Sequence, residues 1–354
     1  MAKPDSTTRG NMAEPRGRTR ETEKKKKEQQ GIKYWDKRAQ QILQHPKVQK
    51  PRTGEGHEGY RLTTAASTLP RSQQPWPPAL EEREGKEARL ISERYVACDD
   101  DGVVLAAYYP GYLVDTVVRQ VTKALKVFTE AYPPPSPSER DLRHTDWESL
   151  CKLCGGKESV GLYHLCTWFE QGHSDRYPVL SADAGPRGAR NFAAVLRLIG
   201  QLQVLTFCLS LLYRVLSRKS WAKSIDVVSN VCKRNPASKN IRSGKWDAWT
   251  GRVILANMPT HAHRDLQDSL ATLTAIACFG SFAGGHLVLP NLQVKFPFQP
   301  GDVIFINSRL LQHFVTEWKP VDFPDGTRGG RYSIVHFVHA KIAEWAESDV
   351  SPEL

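Results

Sequence analysis

The stretch HAHRDLQD, from His261 to Asp268, sets two imidazoles and two carboxylates just ahead of the apolar run LATLTAIACF. In an extended strand, side chains two apart share a face, so His263 and Asp265 at a strand end would present a nitrogen donor and a carboxylate together. His261 has the same parity; the His-x-Asp spacing selects His263 and leaves His261 as a flanking residue. A third donor must come from a distant strand, and GDVIFINSRLLQHF supplies His313 just beyond the apolar DVIFI. Two histidines and one carboxylate on one side of an octahedral ion are the facial arrangement of non-haem Fe(II) oxygenases. The open positions serve a bidentate cosubstrate and dioxygen. An acidic cosubstrate also needs a fixed cation. GGRYSIVHFVH places Arg331 at the start of the next strand, where its planar fork can grip a carboxylate, and Ser333, two residues on, faces the same way.

Such a site needs rigid strands around it. Past Trp221 the chain breaks into short runs rich in Val, Ile, Phe and Trp: WTGRVILAN, LATLTAIACF, HLVLP, VKFPF, DVIFI and YSIVHFVH. They are punctuated by PT, GG, PN, PGD and DGTRGG, the pattern of consecutive antiparallel strands. The expected fold is α+β, with a double-stranded β-helix (jelly-roll) core over residues 221–343. Residues 87–220 form a helical support region led by a strand pair, in which ARLISERYVA and VVLAAYYP flank DDDG. In GYLVDTVVRQVTKALKVF the apolar positions recur at three and four, so one helical face packs inward. A second helical region is expected over 141–169 and a long apolar helix over 191–217. Residues 344–354 are a C-terminal tail.

The chain carries a formal net charge of +11, and the charge is uneven. Residues 1–50 hold 14 Lys and Arg against 6 Asp and Glu, a net +8. Residues 1–86, rich in Lys, Arg, Glu, Gln and Pro, have the composition of a largely disordered basic segment. GIKYWDKRAQQILQHP is its one candidate helix. The run EKKKKEQQ, with Arg16, Arg18 and Arg20, reads as an import signal or a phosphate-binding arm. Seven scattered cysteines and no apolar leader point to reduced thiols inside a cell. Among them Cys151, Cys154 and Cys166, with His164, resemble half of a zinc site, but the last two are separated by one residue, and buried thiols are the preferred reading. The apolar stretch from Leu198 to Tyr213 is too short and too polar for a membrane span.

The ordered set HRD, GGHLVLP, PGDVIFI, His313 and GGRYSIVHFVH resembles the core of Fe(II)/2-oxoglutarate dioxygenases over residues 245–343. Within that superfamily it is most similar to the TET/J-binding-protein group, particularly its compact fungal TET-like members, which oxidise 5-methylcytosine in DNA. In that group a polar residue three places after the HxD aspartate contacts the cytosine edge, and Asp268 stands there. Its last strand carries an arginine, a serine two later, an aromatic six later that stacks on the flipped base, and a histidine eight later that contacts it. Arg331, Ser333, Phe337 and His339 stand at those offsets. The spacing of 18 residues between His313 and Arg331 is longer than expected for the group, because EWKPVDFPDGTRG inserts a loop. The Cys-rich zinc region of animal members is absent. For the 1-carboxylate of 2-oxoglutarate, Arg252 and Asn257 are the candidates.

The resemblance implies Fe(II), 2-oxoglutarate and O2 as cofactor and cosubstrates, with His263, Asp265 and His313 as metal ligands. It implies stepwise oxidation of 5-methylcytosine to its hydroxymethyl, formyl and carboxyl forms on a base flipped from the duplex. The expected partner is double-stranded DNA containing 5-methylcytosine, with no membrane association, and a nuclear monomer is expected. The competing readings are an N6-methyladenine demethylase on the same scaffold and a non-catalytic nucleic-acid-binding β-barrel module.

Overall fold

The computed structural model describes residues 78–348 apart from 100–101, 140, 171–176 and 186–188, together with Gln30. The helix expected in GIKYWDKRAQQILQHP and the basic run EKKKKEQQ lie outside the described residues.

The described chain begins with helix α1 (Pro78–Glu87), followed by the short strand β1 (Arg89–Leu90). Disorder was the expectation up to residue 86, so α1 is a correction. It is held by packing, since its Leu80 lies on a small cluster of Ala88, Ala262, Val288 and Phe314. The strand pair expected around DDDG is present as β2 (Tyr95–Cys98) and β3 (Val104–Tyr109), and Asp99 closes the turn by accepting from the Val103 amide. Helix α2 (Asp115–Ala131) then buries Val117, Val121, Leu125 and Phe128, the face its periodicity predicts.

Between 141 and 169 the structure departs from the expected helical region. Only α3 (Trp147–Cys154) and two single turns are helical, and residues 161–168 form strand β4 (Gly161–Trp168), followed by β5 (Val179–Leu180). Strand β4 is buried on both faces, with Leu162 in one core and Tyr163 and Leu165 in the other. No polar alternation therefore marks it as a strand. The long apolar helix is two, α4 (Ala189–Gln201) and α5 (Gln203–Leu216), bent by 50°. Among the described residues no single helix is long and apolar enough to cross a membrane. A further helix, α6 (Arg218–Arg234), occupies the start of the segment expected to be all β. Its Val and Ile residues mimic strand composition, but its buried Val227, Val228, Val231 and Cys232 fall on a helical face.

The barrel strands follow as β6 (Gly251–Ala256), β7 (Thr260–His263), β8 (Thr274–Gly284) and β9 (Leu287–Leu289). After these come β10 (Val294–Phe296), β11 (Val303–Ile306), β12 (His313–Val315), β13 (Trp318–Pro320) and β14 (Gly330–Phe337). The chain then enters α7 (Ala340–Glu347), so the expected tail begins as a helix. The larger sheet has the order β2-β3-β11-β8-β14-β6-β4-β5, with β13 added against β8, and the smaller has β1-β10-β9-β12-β7. Only the β1–β10 pairing is parallel among the described strands. The architecture is the expected jelly roll backed by helices. The inserted loop after His313 is anchored by β13, whose Trp318 pairs with Gly284.

Strand β11 shows how the sequence divides the core. Ile304 and Ile306 point between the two sheets, while Val303 and Phe305 join the layer covered by α2, α4, α5 and α6. Period-two alternation of apolar residues on both faces is what a sheet sandwiched between another sheet and a helical layer requires. All seven cysteines are free, and Cys151, Cys154, Cys166 and His164 do not converge on a common point.

Candidate active site

Register assembles the proposed donors. Strands β7 and β12 pair antiparallel with His263 directly opposite His313, and the two rings lie with centroids 4.3 Å apart. Asp265 follows just past β7, where its amide donates to the Ser308 carbonyl at 3.0 Å. That turn brings Oδ1 to 3.6 Å from His263 Nε2 and Oδ2 to 3.5 Å from His313 Nε2. One donor atom from each residue lies within 4.8 Å of the others.

The orientation of both imidazoles is fixed from behind. His263 Nδ1 donates to the His261 carbonyl at 2.7 Å and His313 Nδ1 to the Leu311 carbonyl at 3.1 Å. With Nδ1 engaged behind, each Nε2 is turned toward Asp265, the nitrogen a metal would take. Burial, reinforced by the neighbouring His313, holds His263 neutral with its pKa lowered to about 3. Burial works against the charge on Asp265, but His263, His313 and Arg143 hold its carboxyl well below the usual range. Two imidazole nitrogens and one carboxylate form a donor set that fits Fe(II).

Arg331 stands on β14 and is 3% exposed. Its Nη1 donates to Ser333 Oγ at 3.0 Å, and the rings of Phe282 and Phe298 lie 5.3 and 5.8 Å from the guanidinium. Its Nε and Nη2 have no protein partner despite being buried. Those two N–H groups form one edge of the guanidinium fork, shaped for a carboxylate.

Asp268, Phe337 and His339 face the same cavity, a space of about 1420 Å³ that also reaches the three donors and Arg331. That exceeds the roughly 300–1,000 Å³ of ordinary small-molecule sites, so it can hold a cosubstrate and a second reactant together. Phe337 and His339 lie ring to ring, with centroids 4.6 Å apart and planes inclined by 30°. Asp268 Oδ2 accepts from Ser308 Oγ at 2.6 Å and Thr274 Oγ1 at 2.9 Å. Its Oδ1 is 3.9 Å from His339 Nε2, too far for a hydrogen bond. Burial and the nearby Asp265 charge raise Asp268 to about 7, against the pull of the two hydroxyls, and burial lowers His339 to about 4.

Two expected site residues lie elsewhere. On β6 it is Val253 and Leu255 that line the cavity, so Arg252 points to the opposite side. There it is buried in an ion pair with Asp247 at 2.5 Å and also donates to the Ile241 carbonyl. Asn257 is structural as well: its Oδ1 accepts from the Arg331 amide at 2.8 Å, and its Nδ2 donates to the Ser159 carbonyl at 2.8 Å. It therefore positions the Arg331 backbone without facing the cavity.

The residue that sequence reasoning missed is Arg143. It sits in a single helical turn (Leu142–His144), is clamped by Asp141 at 2.8 Å through both Nε and Nη2, and reaches Asp265 Oδ1 with Nη1 at 3.3 Å. Nothing in DLRHTDW marks it, because its partner lies 122 residues away. The adjacent His144 is 5% exposed and donates through Nδ1 to the Pro259 carbonyl at 2.7 Å. Burial lowers its pKa from 6.5 to about 4. Between those values the unfolded chain binds the proton and the folded chain does not, so stability is fully present above pH 6.5 and is lost as pH falls toward 4. The loss attributable to this ring is about 3 kcal/mol. Urea midpoints measured from pH 7.5 to pH 4.5 should fall less steeply for His144→Gln than for the unaltered protein; parallel curves would exclude His144 as a source of acid lability.

Residues 188–340 match the family Tet_JBP, described as the oxygenase domain of the 2OGFeDO superfamily. This stretch is a TET/JBP-type oxygenase domain. The match begins within the supporting helices and ends at the start of α7, so it contains the three donors and Arg331. The domain uses Fe(II), 2-oxoglutarate and O2, in keeping with the donor set and the open fork of Arg331. No curated protein matches the sequence. Among solved structures, "NgTET1 in complex with 5mC DNA" is similar with 17% identity and a TM-score of 0.50, over 72% of this chain and 79% of that one. This supports the TET/JBP-type fold. Weaker likenesses are to OsALKBH1, with 16% identity over 66% and 96% of the two chains and a TM-score of 0.35, and to a bsmA homolog from Methylobium petroleophilum PM1. The latter has 12% identity over 76% and 95% of the chains and a TM-score of 0.30.

Proposed function

We propose that this TET/JBP-type dioxygenase oxidises the methyl group of 5-methylcytosine in DNA, with the base flipped into the cavity. The observation that carries the reading is that Asp268, Phe337 and His339 line the same cavity as His263, Asp265 and His313. The fold likeness is to a protein seen in complex with 5mC DNA, which supports a DNA substrate. When bound, Fe(II) and 2-oxoglutarate supply oxidation of a C–H bond by O2, with release of succinate and CO2.

The chain's own residues then have separable tasks. His263, Asp265 and His313 would hold the metal, and the Nε–Nη2 edge of Arg331, supported by Ser333, would hold the distal carboxylate. Phe337 offers a ring face for stacking a base that has left the duplex. A cytosine edge presents an amine donor and ring acceptors, so its recognition needs one acceptor and one donor. Asp268 Oδ1, left open by the two hydroxyls on Oδ2, accepts from the amine, and the neutral imidazole of His339 donates.

Nucleoside mass spectrometry after incubating matched 5-methylcytosine and N6-methyladenine duplexes with Fe(II), ascorbate and 2-oxoglutarate tests the substrate. Product from the adenine duplex alone would replace the cytosine reading. Because an unpaired buried polar group costs about 1–3 kcal/mol, Asp268→Ala and His339→Ala should each lower kcat/KM on 5-methylcytosine about 5- to 150-fold. Uncoupled 2-oxoglutarate turnover should persist in both. Asp268→Asn should be milder, since its amide oxygen can face the amine. If both alanine variants oxidise the base at the unaltered rate, the base is held elsewhere.

A further inference from the structure

We infer that Glu81 and His261 form a brace that positions the metal ligands from outside the barrel; the inference rests on reading His263, Asp265 and His313 as a metal site. Strand β7 is the edge of the smaller sheet, with β12 on one side and, among the described residues, no strand on the other. An edge strand leaves outward N–H groups in need of acceptors. Glu81 of α1 supplies one. Its Oε1 accepts from the Ala262 amide at 2.7 Å, and its Oε2 accepts from His261 Nδ1 at 3.2 Å.

The other end of the His261 ring is also engaged, with Nε2 donating to the Thr145 carbonyl at 3.2 Å. The His261 carbonyl, in turn, is the group that accepts from His263 Nδ1 at 2.7 Å. Thr145 directly follows the turn whose Arg143 touches Asp265. One residue thus ties α1, β7 and the Arg143 turn together and bears on two of the three ligands. A pivot of the 261–262 peptide would swing the carbonyl that sets the plane of the His263 ring. Glu81, engaging both the His261 ring and the Ala262 amide, blocks that pivot.

The brace is partly sheltered, with side-chain exposures of 13% for Glu81 and 23% for His261, so it is less screened than a pair on open surface. Helix α1 has a separate attachment. Leu80 packs on Ala88, Ala262, Val288 and Phe314, and Lys295 Nζ donates to the Gly85 carbonyl at 2.7 Å. Seating of the helix and orientation of the ligand can therefore be tested apart.

The test is Co(II) binding to the full chain by calorimetry, without cosubstrate. Groups that orient metal ligands through hydrogen bonds typically contribute 10- to 100-fold in affinity, and Glu81→Ala is expected to weaken Co(II) by about that factor. Glu81→Gln retains an oxygen for the Ala262 amide and should recover most of the loss. Leu80→Ala should lower the thermal midpoint while leaving Co(II) affinity within about threefold. Unaltered affinity in Glu81→Ala overturns the brace, as does a loss in Leu80→Ala equal to that in Glu81→Ala. His263→Ala separates the two levels: if it binds Co(II) as tightly as the unaltered protein, the metal site itself is misplaced and the brace falls with it. If His263→Ala abolishes binding and Glu81→Ala does not weaken it, the metal site stands and only the brace is wrong.

Discussion

His263→Ala, Asp265→Ala and His313→Ala are each expected to abolish 2-oxoglutarate turnover while the barrel stays folded. The three residues are the whole of the protein's donor set at this point among the described residues, so deleting one leaves two ligands where three are needed to hold the ion on one face. The fold should tolerate the loss for a local reason. Asp265 is the half-buried charge at risk, and with either histidine removed it still has Arg143 at 3.3 Å and the remaining imidazole. An orphaned buried charge, the usual source of severe destabilisation, is thereby avoided. Succinate release should drop at least about 100-fold, more than the 10- to 100-fold typical of losing an outer hydrogen bond. The thermal midpoint should stay within a few degrees. Residual turnover above about a tenth of the unaltered rate in any variant would remove that residue from the ligand set.

The ligands were legible because strand parity and register are sequence properties. His-x-Asp spacing sets two donors at the end of β7, where the turn held by Ser308 brings Asp265 beside His263, and the barrel's order of strands brings His313 opposite His263. Arg331 was legible from the glycine pair before it. For Arg252 parity decides: with Val253 and Leu255 facing the cavity, Arg252, one place before Val253, has to face the other way, toward Asp247. Asn257 was close in space but serves the Arg331 backbone. Strand β4 escaped notice because both its faces are buried, and α6 because a helix rich in Val and Ile reads as a strand. Glu81 and Arg143 were not legible at all. Their partners lie 180 and 122 residues away, and no local pattern encodes a contact of that span.

Arg331→Ala should raise the 2-oxoglutarate requirement more than any other substitution outside the ligand set. In the structure the guanidinium is buried with only Nη1 bonded, to Ser333, while Nε and Nη2 find no acceptor. Two buried donors without a protein acceptor carry a desolvation cost that a bound carboxylate would repay with two charge-assisted bonds. Truncating one partner of such a buried pair costs about 2–5 kcal/mol, which is about 30-fold to more than 10³-fold in affinity. Phe282 and Phe298 flank the guanidinium at 5.3 and 5.8 Å and help to hold its open edge in place. Arg331→Lys should fall between the two, because an ammonium keeps the charge but has no planar fork. The measurement is the apparent KM for 2-oxoglutarate, with Co(II) affinity in the absence of cosubstrate as a control. Metal affinity should be unchanged while the cosubstrate requirement rises steeply. A KM within about threefold of the unaltered value would show that the open edge of Arg331 is not where the carboxylate binds.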